Sequence, residues 1–167
     1  MGGNLSTRSS HLSDEHLPAL LHLTELRSLD ISHNKKITTI DQLFNTLPKL
    51  EMLDASFDGI SSLGQAVHIV SSALRVLKVA DNQLINVATD AFDGLKALED
   101  LRLDGARLSL GNDSFAGQRT TLKTLSLSRC TFTQSPWPSI AGLSALEILY
   151  MSEVDYYYLY TDACCNE

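Results

Sequence analysis

Leucine recurs along this chain at a fixed interval of 24 residues. Position 1 of the interval is leucine six times: Leu26, Leu50, Leu74, Leu98, Leu122 and Leu146. Position 4 is leucine six times as well: Leu29, Leu53, Leu77, Leu101, Leu125 and Leu149. Position 6 is apolar, and position 5 between them is mostly polar, which is the period of a strand with one buried face. The pattern therefore predicts one short strand in each repeat.

Each predicted strand is too short to bury its apolar face alone. Repeats that stack in register solve this problem, because they form a parallel sheet over a continuous leucine core. The second half of several repeats carries another apolar pair, as at Phe44–Leu47, Phe92–Leu95 and Ile140–Leu143. We expect these pairs to pack beneath the convex side of each coil.

The repeated motif is LxxLxLxxN, as in LRSLDISHN at 26–34 and LRVLKVADN at 74–82. It resembles the leucine-rich-repeat family. The resemblance implies an α/β solenoid, a right-handed coil with a parallel β-sheet on its concave face and irregular or short helical arcs on its convex face. The 24-residue length is similar to the "typical" repeat subfamily, which is common in extracellular receptor and matrix proteins.

The resemblance also implies that an inward asparagine at position 9 bonds to the backbone of the turn after the strand. Only Asn34 and Asn82 match, and Asp58 is a near match. The remaining repeats depart from the pattern with Ala106, Cys130 and Val154. We therefore expect this ladder of hydrogen bonds to weaken toward the C-terminus, and we expect Cys130 to be buried and inert.

Residues 1–155 are predicted to form one leucine-rich-repeat domain of about six repeats, which follow an N-terminal partial repeat containing Leu12, Leu20 and Leu23. Residues 156–167 break the pattern and are expected to be a degenerate or disordered tail. Cys164 and Cys165 lie in this tail, where adjacency disfavours a disulfide between them. Neither end carries an evident polar cap, so we expect either that flanking sequence exists or that the ends associate with one another.

Charge changes the picture in two ways. The chain of 167 residues has a net charge of -7, which disfavours binding to a phosphate backbone. Position 2 of the repeat alternates in sign, so opposite charges on neighbouring strands can pair laterally. The six residues are Arg27, Glu51, Arg75, Glu99, Lys123 and Glu147. The alternative is that this exposed position alternates by accident.

No run of apolar residues is long enough for a transmembrane helix, so we expect no direct insertion into a membrane. The first residues lack the pattern of a secretory signal. The chain is therefore either cytosolic or a mature or excised piece of a secreted protein. Asn4 and Asn112 begin N-glycosylation sequons, and Asn112 falls on the predicted convex arc.

No catalytic constellation or phosphate-binding loop is present, so we expect a non-enzymatic protein without a cofactor. His11, His16 and His22 lie near acidic residues and resemble a metal site only loosely. A solvated N-terminal segment is the favoured interpretation of these histidines.

The repeat frame directs positions 3, 5, 7 and 8 toward the concave face. Candidate partner-binding residues on this face are Asp30, Met52, Asp54, Phe57, Val76, Lys78, Asp81, Arg102, Arg129 and Tyr150. Met52, Phe57 and Val76 are expected to form an apolar patch. The three basic residues Lys78, Arg102 and Arg129 are expected to form a stripe that steers an acidic partner, because outward positions pack against nothing inside the coil.

The family resemblance implies a protein-recognition module that binds a protein partner on the concave sheet. It favours a piece of a receptor ectodomain or a secreted recognition protein, at the cell surface or outside the cell. Three alternatives stay open: a cytoplasmic scaffold or adaptor, a structural adhesion or matrix protein, and the sensor portion of a larger catalytic receptor.

Overall fold

The computed structural model describes residues 3–63, 73–84 and 91–157, and the chain forms short parallel strands joined by irregular arcs. The strands are β1 (Gly3–Ser6), β2 (Leu26–Asp30), β3 (Met52–Asp54), β4 (Val76–Lys78), β5 (Asp100–Arg102), β6 (Arg107–Leu108), β7 (Thr124–Ser126), β8 (Thr131–Phe132), β9 (Ile148–Tyr150) and β10 (Asp155–Tyr156). Seven of them make the larger sheet, in the order β1-β2-β3-β4-β5-β7-β9. The solvent-facing side of this sheet is called the concave face below.

The register of the larger sheet follows the 24-residue interval. Leu53 lies between Leu29 and Leu77 on the neighbouring strands, and Leu101 lies beside Leu125. These position-4 side chains are at most 1% exposed, since each is covered by the coils on both sides. The predicted solenoid with a continuous leucine core is confirmed.

The N-terminal partial repeat contributes a strand that the sequence analysis did not predict. Strand β1 pairs with β2 and places Leu5 beside Leu29, so Leu5 occupies position 4 of an earlier coil. The pattern was missed because Gly2 and Thr7 stand at positions 1 and 6, where the other repeats carry apolar side chains. Extending the interval toward the N-terminus brings Arg8 into the frame at position 7.

The convex side is built from short helices and turns. Its α-helices are α1 (Leu17–Leu20), α2 (Asp41–Thr46) and α3 (Trp137–Ile140). The predicted apolar pairs are buried there: Phe44 and Leu47, Phe92 and Leu95, and Ile140 and Leu143. Within the described residues, no helix has the length and apolar character needed to cross a bilayer.

A smaller parallel sheet, in the order β6-β8-β10, follows the turns of the last three coils. Tyr156, which the sequence analysis assigned to the tail, lies in β10 with its ring 5.8 Å from that of Phe132. Arg107 lies over the ring of Tyr157 at 5.2 Å. The rest of the predicted tail, including Cys164 and Cys165, lies outside the described residues.

Asparagine at position 9 links neighbouring coils as the family pattern implies. Asn82 donates from Nδ2 to the carbonyl oxygens of Ala55 at 2.7 Å and Val79 at 3.0 Å. Its Oδ1 accepts the backbone N–H of Ile60 at 3.1 Å. Asn34, which lies two coils before Asn82, makes the corresponding hydrogen bonds. Buried backbone groups in the turns are satisfied in this way.

Asp58 fills the same position with only half of the bonding. Its Oδ1 accepts the backbone N–H of Asn34 at 2.5 Å, whereas its buried Oδ2 has no hydrogen-bond partner. Burial raises the pKa of Asp58 to about 7. Repulsion from Asp54 and Asp30 also raises this pKa, whereas the hydrogen bond from the backbone N–H of Asn34 lowers it. A carboxylate is therefore a poor substitute for the amide at this position.

Cys130 takes the same position two repeats after Asn82. Its Sγ donates to the carbonyl oxygen of Leu103 at 3.3 Å, and the residue is fully buried. Burial raises the pKa of the thiol to about 12, so the thiol stays protonated at neutral pH.

The alternating charges at position 2 form lateral ion pairs between neighbouring strands. Arg27 pairs with Glu51, and Glu99 pairs with both Arg75 and Lys123, the latter at 2.8 Å. The hydrogen bond from Lys123 lowers the pKa of Glu99. The predicted pairing is confirmed at these positions, and it favours the in-register arrangement because a slipped register separates the opposite charges.

The last described coil is covered on one side only. Leu149 is 36% exposed although it occupies the core position, and its strand neighbours Ile148 and Tyr150 are exposed as well. Strand β9 has one partner, β7, in the described part of the chain. Self-association through the ends stays a prediction.

Candidate protein-binding face

The turn after each strand of the larger sheet presents position 8 in a left-handed backbone conformation. The residues are Ser9, His33, Phe57, Asp81, Gly105, Arg129 and Glu153, with φ between 53° and 76°. Only glycine adopts this region at little cost, and a bulky side chain there is strained. The turn thus projects six non-glycine side chains from the rim of the concave face, where no core packing requires them.

A cleft of about 290 Å³ lies on the concave face. Six of the ten predicted residues line it: Asp54, Phe57, Lys78, Asp81, Arg102 and Arg129. The other four are on the same sheet but outside the cleft: Asp30, Met52, Val76 and Tyr150. The structure also brings Arg8, His33 and Asp104 to the cleft, and the sequence analysis had not proposed these three as binding residues.

The three residues of the predicted basic stripe all line the cleft, and each of them is paired with an acidic side chain. Lys78 lies 3.5 Å from Asp54 on the neighbouring strand. Arg102 donates two hydrogen bonds to Asp100, at 3.2 and 3.1 Å. These side chains therefore have charged neighbours on the outer surface of the sheet, which balance their charges locally.

Arg129 reaches an acidic partner two coils away. It donates to both carboxylate oxygens of Asp81, at 2.9 and 2.8 Å. Gly105 stands between them at position 8, and a Cβ atom there would lie 3.0 Å from Asp81 Oδ1. The missing side chain at Gly105 therefore leaves the space that this pair spans.

Asp30 and Met52 belong to the part of the sheet next to the cleft. Burial by itself raises the pKa of Asp30, but hydrogen bonds from Ser32 and Ser6 outweigh it and bring the pKa below its usual range. Met52 lies beside Val76 in the strand register, and both side chains are half-buried. Met52 and Val76 are thus neighbours on the concave face, as expected for two members of the predicted apolar patch.

Phe57 stacks on His33 at one end of the cleft. The ring centroids are 4.5 Å apart and the rings are tilted by only 10°. The imidazole of His33 also contacts Arg8, whose Nη2 lies 3.0 Å from His33 Nε2. Phe57 is nevertheless 45% exposed, so its ring offers apolar surface to solvent. These three residues, Arg8, His33 and Phe57, are called the aromatic ledge below.

The two predicted N-glycosylation positions and the N-terminal histidines do not line the cleft. Asn4 is exposed on β1, and Asn112 is exposed on a convex arc, where Ser114 Oγ accepts the N–H of Gly111. His16 accepts the backbone N–H of Ser13 through Nδ1. No group of three metal-ligating side chains is close enough to hold an ion among the residues the structure covers.

Comparisons with known proteins agree with this architecture. The family model described as Leucine Rich Repeat matches residues 121–143. CD180 antigen of Mus musculus is 31% identical over 113 residues, which are 65% of this chain and 16% of that protein. An internalin of Listeria monocytogenes shares 28% identity with a TM-score of 0.64, covering 78% of this chain and 36% of the internalin.

Internalin C2 of the same bacterium superposes with a TM-score of 0.76 at 23% identity, over 92% of this chain and 62% of that structure. This second likeness concerns the fold alone. The chain thus spans less than two thirds of each of these relatives. The in-register leucines, the position-9 hydrogen bonds and these similarities lead to one assignment: the chain folds as a leucine-rich-repeat solenoid and is similar to proteins of the leucine-rich-repeat family.

Proposed function

We propose that this chain is a non-catalytic recognition module that binds a protein partner on its concave face. The observation that carries the proposal is the cleft, in which an exposed aromatic ring and several paired charges meet on a rigid sheet. Aromatic and arginine side chains are enriched in protein interfaces and supply much of their binding energy. Lys78, Arg102 and Arg129 are already paired with acidic side chains, so we assign these three charges to specificity rather than to long-range steering.

Two substitutions on the concave face test this proposal once a partner has been captured. Met52→Ala removes apolar contact surface, and Arg102→Gln removes a charged group that lines the cleft. Each is expected to weaken binding by more than about 1 kcal/mol, measured by calorimetry on folded protein. The control is Asn112→Gln on the convex side, which should leave the affinity unchanged. Equal affinity of both concave variants and the wild type would exclude this face.

We further propose that the module works at the cell surface or outside the cell, as part of a receptor ectodomain or a secreted recognition protein. The similarity to CD180 antigen and the 24-residue repeat support this location. The exposed Asn112 on a convex arc gives a glycan room without covering the concave face.

Expression through the secretory pathway of a mammalian cell tests the location. We expect a glycan at Asn112, seen as a mass that peptide N-glycosidase removes and that Asn112→Gln abolishes. The Asn112→Gln variant should otherwise fold and be secreted, because the side chain is exposed. Secreted protein with an unmodified Asn112 would contradict the proposed glycoprotein.

A further inference from the structure

We infer that the aromatic ledge recognises a carboxylate side chain that lies next to an aromatic ring on the protein partner. The inference rests on the proposed function and names the chemistry that this end of the concave face selects. Phe57 would supply the surface on which the partner's ring stacks. Arg8 would supply the donors for the carboxylate.

The first argument is the placement of Phe57. Its ring is exposed although the backbone at this residue has a φ of 60°, a conformation in which a bulky side chain is strained. Gly105 shows that the same turn accommodates glycine two coils later. The ring stacks on that of His33, which lies on the same surface. A strained, exposed aromatic residue on a rigid scaffold is suited to contact a ligand.

The second argument is the difference between Arg8 and the other cations of the cleft. Lys78, Arg102 and Arg129 each lie within 3.5 Å of a carboxylate oxygen. Arg8 instead lies with its Nη2 3.0 Å from His33 Nε2 and, in the described part of the chain, has no carboxylate within ion-pair distance. The charge of Arg8 contributes to the lowered pKa of Asp30, but the carboxylate oxygens of Asp30 accept their hydrogen bonds from serines.

The remaining donors of Arg8 determine the chemistry of the ligand. A guanidinium has five N–H donors in a planar fork, and such a fork binds a carboxylate through two parallel hydrogen bonds. The contact with His33 limits the movement of the side chain, so less conformational freedom is lost when a ligand binds. A basic ligand would be repelled by Arg8 at this end of the cleft. Charge complementarity therefore favours an acidic side chain.

The distance between the two groups favours one short segment of the partner. Arg8, His33 and Phe57 come from three successive coils, which are spaced about 5 Å apart across the sheet. The guanidinium and the exposed ring are thus within reach of side chains one or two residues apart on an extended peptide. Stacking of the partner's ring on Phe57 would then bring its carboxylate to Arg8.

Selection from a random peptide library displayed on phage tests the inference with the chain as it exists. We expect the selected peptides to be enriched in Asp or Glu within two residues of Phe, Tyr or Trp. A synthetic copy of a selected peptide should lose about fivefold or more in affinity on Arg8→Gln and on Phe57→Ala, measured by fluorescence anisotropy. Replacing the peptide's acidic residue by its amide should weaken wild-type binding equally and should weaken Arg8→Gln no further.

The control variant is Arg119→Gln, which removes a guanidinium from the convex side, where it pairs with Asp113. It should bind the selected peptides as the wild type does. Peptides without the acidic-aromatic pair, or with equal affinity for wild type, Arg8→Gln and Phe57→Ala, would overturn the inference, as would a library that yields no binder. In those cases the proposed function stands if Met52→Ala or Arg102→Gln still weakens binding of the captured partner. It fails if neither substitution changes that affinity.

Discussion

Leu101→Ala is expected to lower the free energy of unfolding by about 2–5 kcal/mol. Leu101 is fully buried in the middle of the larger sheet, with Leu77 on one side and Leu125 on the other. The substitution removes buried apolar surface and leaves a cavity that neighbouring coils cannot fill without losing their register. Chemical denaturation followed by circular dichroism measures the loss. Because each coil is stabilised by its neighbours, several coils should unfold together.

The matched control for this experiment is Leu149→Ala. Leu149 occupies the same repeat position on β9, but it is 36% exposed because it has a neighbouring coil on one side. Truncation there removes less buried surface and opens no enclosed cavity, so the expected loss is below about 1.5 kcal/mol. Equal losses at the two positions would contradict the arrangement of the coils.

Asp58→Asn is expected to stabilise the protein at pH 8, by on the order of 2–4 kcal/mol. The amide keeps the acceptor for the N–H of Asn34 and adds a donor where Asp58 Oδ2 now has no partner. Asn34 and Asn82 already use this donor on the carbonyl oxygens of their turns. The substitution therefore completes the ladder at its charged position and removes a buried negative charge.

The stabilisation by Asp58→Asn should depend on pH, and the raised pKa of Asp58 sets the direction of that dependence. The pKa of Asp58 is raised to about 7 in the folded chain, from 3.8 in the unfolded chain, so between these values the folded state binds more protons. The wild type thus loses stability as the pH rises from about 4 to about 7, and the variant should lack this loss. The difference in free energy of unfolding should be small at pH 4 and largest above pH 7.

Asp113→Asn is the control for the titration, since the Asp113 side chain is 74% exposed on a convex arc. Its substitution should leave the free energy of unfolding nearly unchanged, because the side chain is exposed. A stability difference for Asp58→Asn that does not change with pH would mean that the Asp58 carboxylate is solvated in the folded protein.

The interval of the leucines was sufficient to predict the architecture. A 24-residue period with leucine at positions 1 and 4 leaves only one register in which every apolar side chain faces the same core, and the strands pair in that register. The lateral pairing of Arg75 with Glu99 followed from the same frame. Strand β1 escaped because Gly2 and Thr7 replace the apolar residues that mark the frame.

The binding face was only partly predictable. The frame identified which residues point outward, and six of the ten candidates do line the cleft. It could not show that Arg129 passes over Gly105 to Asp81, because that contact joins residues two coils apart. The predicted repeat frame did not include Arg8, because the coil that carries this residue was not recognised from the sequence.

The sequence by itself determined the repeat length, the strand register, the identity of the core and the direction in which each side chain leaves the sheet. These properties depend on a local sequence pattern that recurs in every repeat. Only the tertiary structure decided which charges neutralise each other, which asparagine-ladder position is left with an unpaired oxygen, and where an exposed ring meets an arginine. Such contacts form between side chains on coils that are 24 or 48 residues apart in sequence. The repeat period does not give the distances in space between those side chains.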